Sequence, residues 1–560
     1  MAVSKHVVPS LASILTVLLF LVAVGSPAGA VVQIGQNFTG TTYGGSTTNS
    51  AAIPPDPNGA VGPNHFVEFI NGMFCVYTKT NGHRVERITD LDFWANAGVG
   101  VDVADLWDVS DPRIIYDSTA QRWFASQADV DELSQALDGT LTANHFLLAV
   151  SETADPTGPW NGVSFDADPV NSYFADFPTL GVDSQGVYLS GDMFDANNNP
   201  VGPSLVSFPK ADLLANPPIF DNRTEFGVMS YSDRGQVLQP VTCWDGSSSG
   251  TVLATGDIGT DTSPHSNLVS FAVQNAAAPG AATLTPSTRI TVSPYVVPFD
   301  PDVSAPMFAA LQPDSTTALA ANDARLSAKV YAVGGILYAV HNTEWNGRIA
   351  IRWHRINATN LVVLESGTIT DPNLDLFFPS IAANTNGTVV IGCNGSGLAT
   401  FVSCYAIVGQ TTGHTTAFGN LILLQSGVVS YHGDDELLNG TPPSRWGDYS
   451  ATSVDPSDPS RFWTIQMYPS DPVNSDVWST QITELLTTPI AQLAIAPAGT
   501  NVLISWSPAF VTGYQLQSSS ALGPAASWSG VPQPPSVSGN QASVLMSVFG
   551  KQQFFRLQKL

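Results

Sequence analysis

Five aspartates stand at matching places in a repeated segment. Asp56, Asp111, Asp176, Asp323 and Asp448 each open a run of alternating apolar residues. Arg113 and Arg325 follow two residues after such an aspartate, and Arg445 stands three before Asp448. These residue types in this pattern suit two kinds of chemistry. Guanidiniums hold carboxylates bidentately. Two nearby carboxyls whose environments push their pKa values apart can divide the acid and base roles of glycoside hydrolysis. Trp123, Tyr173, Trp446 and Tyr449 are close in sequence and offer apolar faces to sugar rings. The ligand-binding candidates are therefore Asp56, Asp111, Arg113, Asp176, Asp323, Arg325, Arg445, Asp448 and Tyr449. Tyr449 and Glu344 are the candidates for nucleophile or acid, and one sequence does not choose between them. A structural role suits the same pattern, because an aspartate at every strand entrance can cap backbone N–H groups or pair with arginine and lock neighbouring elements together.

The elements that must position these side chains read as β-hairpins. Asp111 to Asp117 followed by Arg122 to Ser126, and Asp176 to Asp183 followed by Gly186 to Ser190, share one pattern: an Asp or Pro entrance, an alternating run, a polar turn and a second run. Phe378 to Asn384 with Thr388 to Ile391, and Asp448 to Asp455 with Arg461 to Ile465, repeat it. Fainter copies start at Asp56, Gln239 and Asp323, so seven starts fall at intervals of roughly fifty to eighty-five residues. That interval accommodates four strands, and almost nothing has the period of an amphipathic helix. The expected fold is all-β, a seven-bladed β-propeller, with six or eight blades allowed by the faint fourth and fifth copies.

On these residues the chain resembles secreted bacterial propellers of the sialidase-like, neuraminidase-repeat kind. The resemblance rests on Asp176 to Ser190, on Phe378 to Ile391, and on the phrases Pro54-Pro55-Asp56-Pro57, Gly62-Pro63-Asn64-His65 and Arg445-Trp446-Gly447-Asp448-Tyr449-Ser450. It spans about residues 50 to 485 and implies a propeller architecture. The chain departs from true sialidases in lacking any Ser-x-Asp-x-Gly-x-x-Trp box and any recognisable early arginine motif, so the resemblance carries no catalytic residues across.

Near residue 487 the pattern changes. Leu493, Ile495, Val502, Ile504 and Trp506 alternate, and Tyr514 to Gln517, Val544, Met546 and Phe554-Phe555-Arg556-Leu557 supply further strands. A small β-sandwich over 487–560 follows. It resembles short C-terminal modules of secreted bacterial proteins that end in Phe-Phe-Arg-Leu, whose roles are sorting, anchoring, ligand attachment or simple stabilisation. At the other end, Lys5 and His6, the apolar run Leu11 to Val24 and the small residues Ala28-Gly29-Ala30 read as a signal peptide over 1–30. The propeller would occupy 31–486, in a secreted or extracytoplasmic protein with no membrane span.

Composition narrows the partners. A net charge of -26, from 46 acidic against 20 basic residues, excludes nucleic acid, which needs clustered Lys and Arg. Cys75, Cys243, Cys393 and Cys404 have no metal-binding spacing. Cys393 and Cys404 fall on adjacent predicted strands and are a candidate disulfide, whereas Cys75 and Cys243 are expected buried and free. No nucleotide-binding, metalloprotease or serine-hydrolase motif is present, and no cofactor is identified. The acidic stretches Asp129 to Glu132 and Asp192 to Asn197 allow calcium. The sequence thus points to a propeller that binds an extracellular glycan or cell-surface component without catalysis. The alternative is a sialidase-like hydrolase or lyase acting on an extracellular polysaccharide through the Asp/Arg ring.

Overall fold

The computed structural model describes residues 31–45, 48–101, 107–131, 141–256, 263–298, 309–314, 318–433, 444–488, 493–506, 508–522, 526–538, 541–547 and 552–560. The leader assigned to 1–30 lies outside the described residues. Among them the chain is all-β, with only short helices such as Asp90–Asn96, and no helix is long and apolar enough to cross a membrane.

The hairpin pattern becomes a series of antiparallel sheets. In chain order their innermost strands are Asn58–Val61, Trp107–Asp117, Phe174–Val182, Gln236–Pro240, Tyr331–Val333, Asp375–Ala383 and Ala451–Val454. Among the described residues these head seven sheets of four or five strands. The inner strand Asp375–Ala383 is buried at every position because neighbouring sheets cover both its faces, Ile381 and Ala383 lying in one inter-sheet cluster and Ala382 in the next.

One apolar cluster fills each gap between neighbouring sheets. Phe69, Phe74 and Trp94 of the first meet Ile114 and Trp123 of the second, and Phe124 and Phe146 meet Leu180 and Leu189 of the third. Tyr188 and Leu205 meet Leu238 and Val252, then Leu253 and Leu268 meet Leu337 and Ala339. Tyr338 and Trp353 meet Ile381 and Ile391, and Val390 and Ala406 meet Phe462 and Leu485. Finally Trp463 and Ile465 of the last sheet pack on Phe66 and Met73 of the first. The arrangement is therefore a closed, propeller-like ring. Each cluster removes apolar surface from water at about 25 cal/mol per Å², so every sheet is stabilised by two neighbours.

Two features differ from the sequence expectation. The last sheet takes its outer strand from the start of the described chain: Val31–Thr42 pairs antiparallel with Trp478–Thr488, from Val31 opposite Thr488 to Thr42 opposite Ser479. Glu68 fastens this closure, because its carboxylate accepts from the Thr41 amide (3.1 Å), the Thr41 hydroxyl (2.8 Å), Tyr77 (2.7 Å) and Thr480. The fifth sheet does not start at Asp323. Its inner strand is Tyr331–Val333, flanked by the parallel pair Thr242–Cys243, and the chain before it crosses the axis of the ring.

The candidate disulfide is absent. All four cysteines are free and buried, as expected for Cys75 and Cys243. Cys404 pairs in register with Asn394, one residue beyond Cys393. The pleat of period two therefore turns the two thiols to opposite faces, Cys393 toward the fifth sheet and Cys404 toward the seventh.

After the last sheet, residues 494–559 form a four-stranded and a three-stranded sheet. These enclose a cluster around Ile504, Trp506, Phe510, Leu516 and Val544.

Candidate functional site

The aspartates reach one place because the backbone bends there in the same way. Asp56, Asp111, Phe177, Val237, Asn322 and Phe378 all adopt positive φ, between 46° and 63°, a region uncommon for residues with a side chain. In four of these sheets the bend lies inside a register shift: between Ser110 and Arg113, Asp176 and Thr179, Gln236 and Gln239, and Phe377 and Ser380. Such bulges re-aim side chains at a sheet rim. The bulge also corrects the alignment of the repeats. Asp111 sits on the bend, but its counterpart in the third sheet is Phe177, and Asp176 matches Ser110. Asp323 follows the bend residue Asn322, and Asp448 follows Gly447 (φ 145°).

Six of the nine candidates nevertheless share one cavity. A cleft of about 1250 Å³ opens where the inner strands begin, and Asp56, Asp111, Asp176, Arg325, Arg445 and Asp448 line it. Asp90, Asp108, Asp129, Phe174, Phe177, Phe194 and Tyr43 line it too. Seven carboxyls thus face two guanidiniums, and both guanidiniums are already held. Arg325 grips Asp323 bidentately (2.9 and 2.8 Å), and Arg445 contacts Asp448 at 3.4 Å.

Asp56 and Asp111 are tied into the frame. Asp56 accepts from the Asp448 amide (2.9 Å) and from the Asn71 side chain (2.9 Å). Asn71 in turn accepts from the Asp111 amide (2.9 Å), and Tyr449 donates to Asp111 at 2.6 Å. This network joins the seventh, first and second sheets. Burial, then the charges of Asp111 and Asp448, hold Asp56 well above the usual carboxylate range. Asp176 opens onto the cleft and accepts from the Phe177 amide (2.8 Å). Desolvation by the enclosing cleft walls, and then the charge of Asp111, push it up to about 7. Burial raises Asp192, opposite it in register, to about 6, and burial with Asp108 raises Asp90 to about 7. Asp448 leads the carboxylates that raise Arg445.

Beneath the cleft the axis of the ring is filled. Arg113, 2% exposed, stacks 3.6 Å from the Tyr449 ring centre and donates to the Pro178 carbonyl (2.7 Å) and, across the ring, to the Ser327 carbonyl (3.2 Å). Lys329 donates to the Ile114 carbonyl (2.5 Å) and to Asn58 (3.2 Å). Burial and the neighbouring Arg113 lower it to about 7. Below this plug a smaller cavity of about 250 Å³ opens at the other end, lined by Ile115, Tyr116, Trp244 and Val454.

Other sequence candidates lie elsewhere. Arg113 and Tyr449 belong to the plug, and Asp323 to the ion pair behind the lining. Trp123 is buried between the first two sheets, Trp446 packs on Tyr431, Tyr173 joins the cluster between the second and third sheets, and Glu344 accepts from Gly347 in an exposed turn. In the calcium stretches, Asp129 and Asp195 already have partners within the chain. Asp129 receives the His145 amide (2.6 Å) and ring nitrogen (2.8 Å), and Asp195 caps its own loop through Asn197 and Asn199. Glu132 lies outside the described residues, among which no cluster of acids, histidines or cysteines is built for a metal. The cleft residues that sequence reasoning missed are Asn71, Asp90, Phe174 and Phe194. Of these only Asn71, in the turn Asn71-Gly72, carries a local signal.

No protein-family model and no curated protein matches the chain. Solved structures are similar only remotely. The arabinanase of Penicillium chrysogenum, in complex with arabinobiose, is 10% identical over 80% of this chain and 98% of its own (TM-score 0.35). TolB of Acinetobacter baumannii is 8% identical over 80% and 76% (TM-score 0.26). The Trypanosoma rangeli sialidase is 10% identical over 71% and 51% (TM-score 0.29). Likenesses this distant carry no argument about activity.

Proposed function

We propose that the chain is an extracytoplasmic seven-bladed β-propeller with a C-terminal β-sandwich module, and that the cleft over its plugged axis binds an extracellular glycan without cleaving it. Seven inter-sheet clusters that return to the first sheet support the blade count. The observation that carries the binding reading is the lining itself: the part-exposed rings of Phe174 and Phe194 stand beside Asp176, whose carboxyl is free for sugar hydroxyls. Non-catalytic binding is supported by Asp56 and Asp111, which are committed to Asn71, the Asp448 amide and Tyr449 and so join the blades. The surplus of carboxyls, with both arginines already paired, disfavours acidic polysaccharides.

A hydrolase or lyase of the sialidase-like kind is the second reading. It is favoured by Asp176, open to the cleft with a pKa near 7, as a general acid requires. A panel of neutral, basic and acidic oligosaccharides, read for binding and for released reducing sugar, separates the two. The binding reading expects a ligand bound without release, and an affinity at least tenfold weaker in a folded Asp176→Asn variant. Sugar release abolished by that variant would establish the hydrolase, and no binding by any class would remove the cleft as a glycan site.

A further inference from the structure

Away from the cleft, at the junction of the fourth and fifth sheets, two imidazoles lie stacked in the interior. His341 and His354 are both buried, their ring centres 5.3 Å apart and their Nε2 atoms 3.1 Å apart. Their outer partners fix the protons. His341 Nδ1 lies 2.7 Å from the Asn342 carbonyl, which can only accept, so Nδ1 carries the hydrogen and Nε2 is bare. His354 Nε2 must then donate to His341 Nε2. This leaves His354 Nδ1 bare to accept from the Ser366 hydroxyl at 3.2 Å. One relay of neutral rings thus runs from Ser366 through both histidines to the Asn342 backbone.

A further proton has no comfortable place in it. On His341 Nε2 it would confront the His354 N–H across 3.1 Å, and on His354 Nδ1 it would turn the Ser366 hydroxyl from donor to acceptor and leave a buried charge near Arg352. The groups facing the pair give little relief. Tyr295, from strand Thr288–Tyr295, presents its ring edge-on to His341, with His265 beyond it. Arg352, on the same strand as His354, adds a buried positive charge held by the Pro294 carbonyl (2.9 Å). Among the described residues the carboxylate that acts on His341 is Asp323, already gripped by Arg325. Burial accordingly holds His341 down to about 4 and His354 well below the ordinary histidine value.

The relay ends at the residue that holds the cleft's fifth-sheet wall. Asn342 donates its side chain to the Ala321 carbonyl (2.7 Å). The next residue, Asn322, donates to Asp448 in the cleft (3.0 Å), and Arg325 follows. We propose that the His341–His354 pair is an acid-sensitive latch: the closed pair has no place for a charge, so it takes up a proton by opening to water, and that opening parts Asn342 from Ala321 and frees residues 319–326, which carry Arg325 into the cleft. Gln239, which donates to the Leu326 carbonyl (2.6 Å), and the Ala320 amide on the Ser444 carbonyl (2.9 Å) also hold that segment, so the latch acts on its local opening.

Hydrogen–deuterium exchange of the full chain against pH, corrected for intrinsic rates, tests this. In the wild type, protection of 319–326 and of Ile336–Trp345 should fall at least tenfold between about pH 7 and pH 4.5, through the range below the ordinary histidine pKa of about 6.5. A His341→Phe/His354→Phe variant has no proton to gain there. Its 319–326 protection should lose that dependence, although the cleft carboxyls still titrate. An unchanged pH dependence in the folded variant, or a flat wild type, would overturn the latch. If the double variant does not fold, imidazole nitrogen NMR of the wild type decides: hydrogens on His341 Nδ1 and His354 Nε2, with both rings neutral at about pH 5.5, support it, and rings titrating near 6.5 refute it.

Discussion

The two ends of the repeated hairpin carry the same residue type in opposite circumstances. At the turn end, each side chain is saturated by donors. Asp183 accepts from the Gln185, Gly186 and Gly250 amides and from Tyr188 (2.7, 2.9, 2.5 and 3.0 Å). Asp117 accepts from Thr119 and Ala120 and pairs with Lys210. Asp455 takes Ser457, Trp463 and Lys79, and Asn384 serves the same turn through Asn386 and Thr388. At the cleft end, Asp56, Asp111, Asp176 and Asp448 crowd one another with few donors, and Asp56 and Asp176 hold their protons well above the usual range. Repetition of an aspartate therefore does not by itself mark either a structural or a binding role. The supply of donors separates the two.

The largest expected effect falls at the turn end. Asp183→Ala strips the acceptor from three buried donors and one half-buried donor and should destabilise by about 3 kcal/mol or more in denaturant unfolding, each orphaned buried donor costing roughly 1 kcal/mol or more. A loss below about 1 kcal/mol would break the contrast between the two ends. Arg113→Met comes next: it orphans the Pro178 and Ser327 carbonyls and removes the stacking on Tyr449, for about 2–4 kcal/mol in the same measurement.

At the cleft end the sign reverses. Asp176 has a folded pKa near 7 against about 4 unfolded, so between those values the folded state binds more protons and stability falls as pH rises. Asp176→Asn should therefore stabilise at pH 8, by no more than about 1 kcal/mol because the carboxyl is open to screening solvent, and the gain should vanish near pH 4. Unfolding curves of both proteins across that range check it. The smallest effect is a null one: a reducing agent should leave the thermal midpoint unchanged, because Cys393 and Cys404 point to opposite faces.

Much of this contrast was legible before the structure. Period-two alternation broken by Asp, Asn and Gly turns marks the hairpins at 111, 176, 378 and 448, since each pairs strands adjacent in sequence. The aspartates' convergence followed from the same repeats. What the pattern hid was set by single residues or distant partners. A one-residue bulge moves Phe177, not Asp176, onto the bend, and an offset of one places Cys404 opposite Asn394. Nothing local announces that Val31–Thr42 pairs with Trp478–Thr488, that Lys329 and Ser327 cross the axis to the first two sheets, or that Asp90 arrives from an outer turn.

The most direct test of the claim that desolvation and carboxyl crowding mark the cleft end is a carboxyl-carbon NMR titration of the aspartates, with and without a bound oligosaccharide. The account predicts Asp176 and Asp90 titrating near 7 and Asp192 near 6, with Asp176 shifting when ligand enters. Asp176 titrating near 4 and indifferent to a ligand that binds the chain would contradict it.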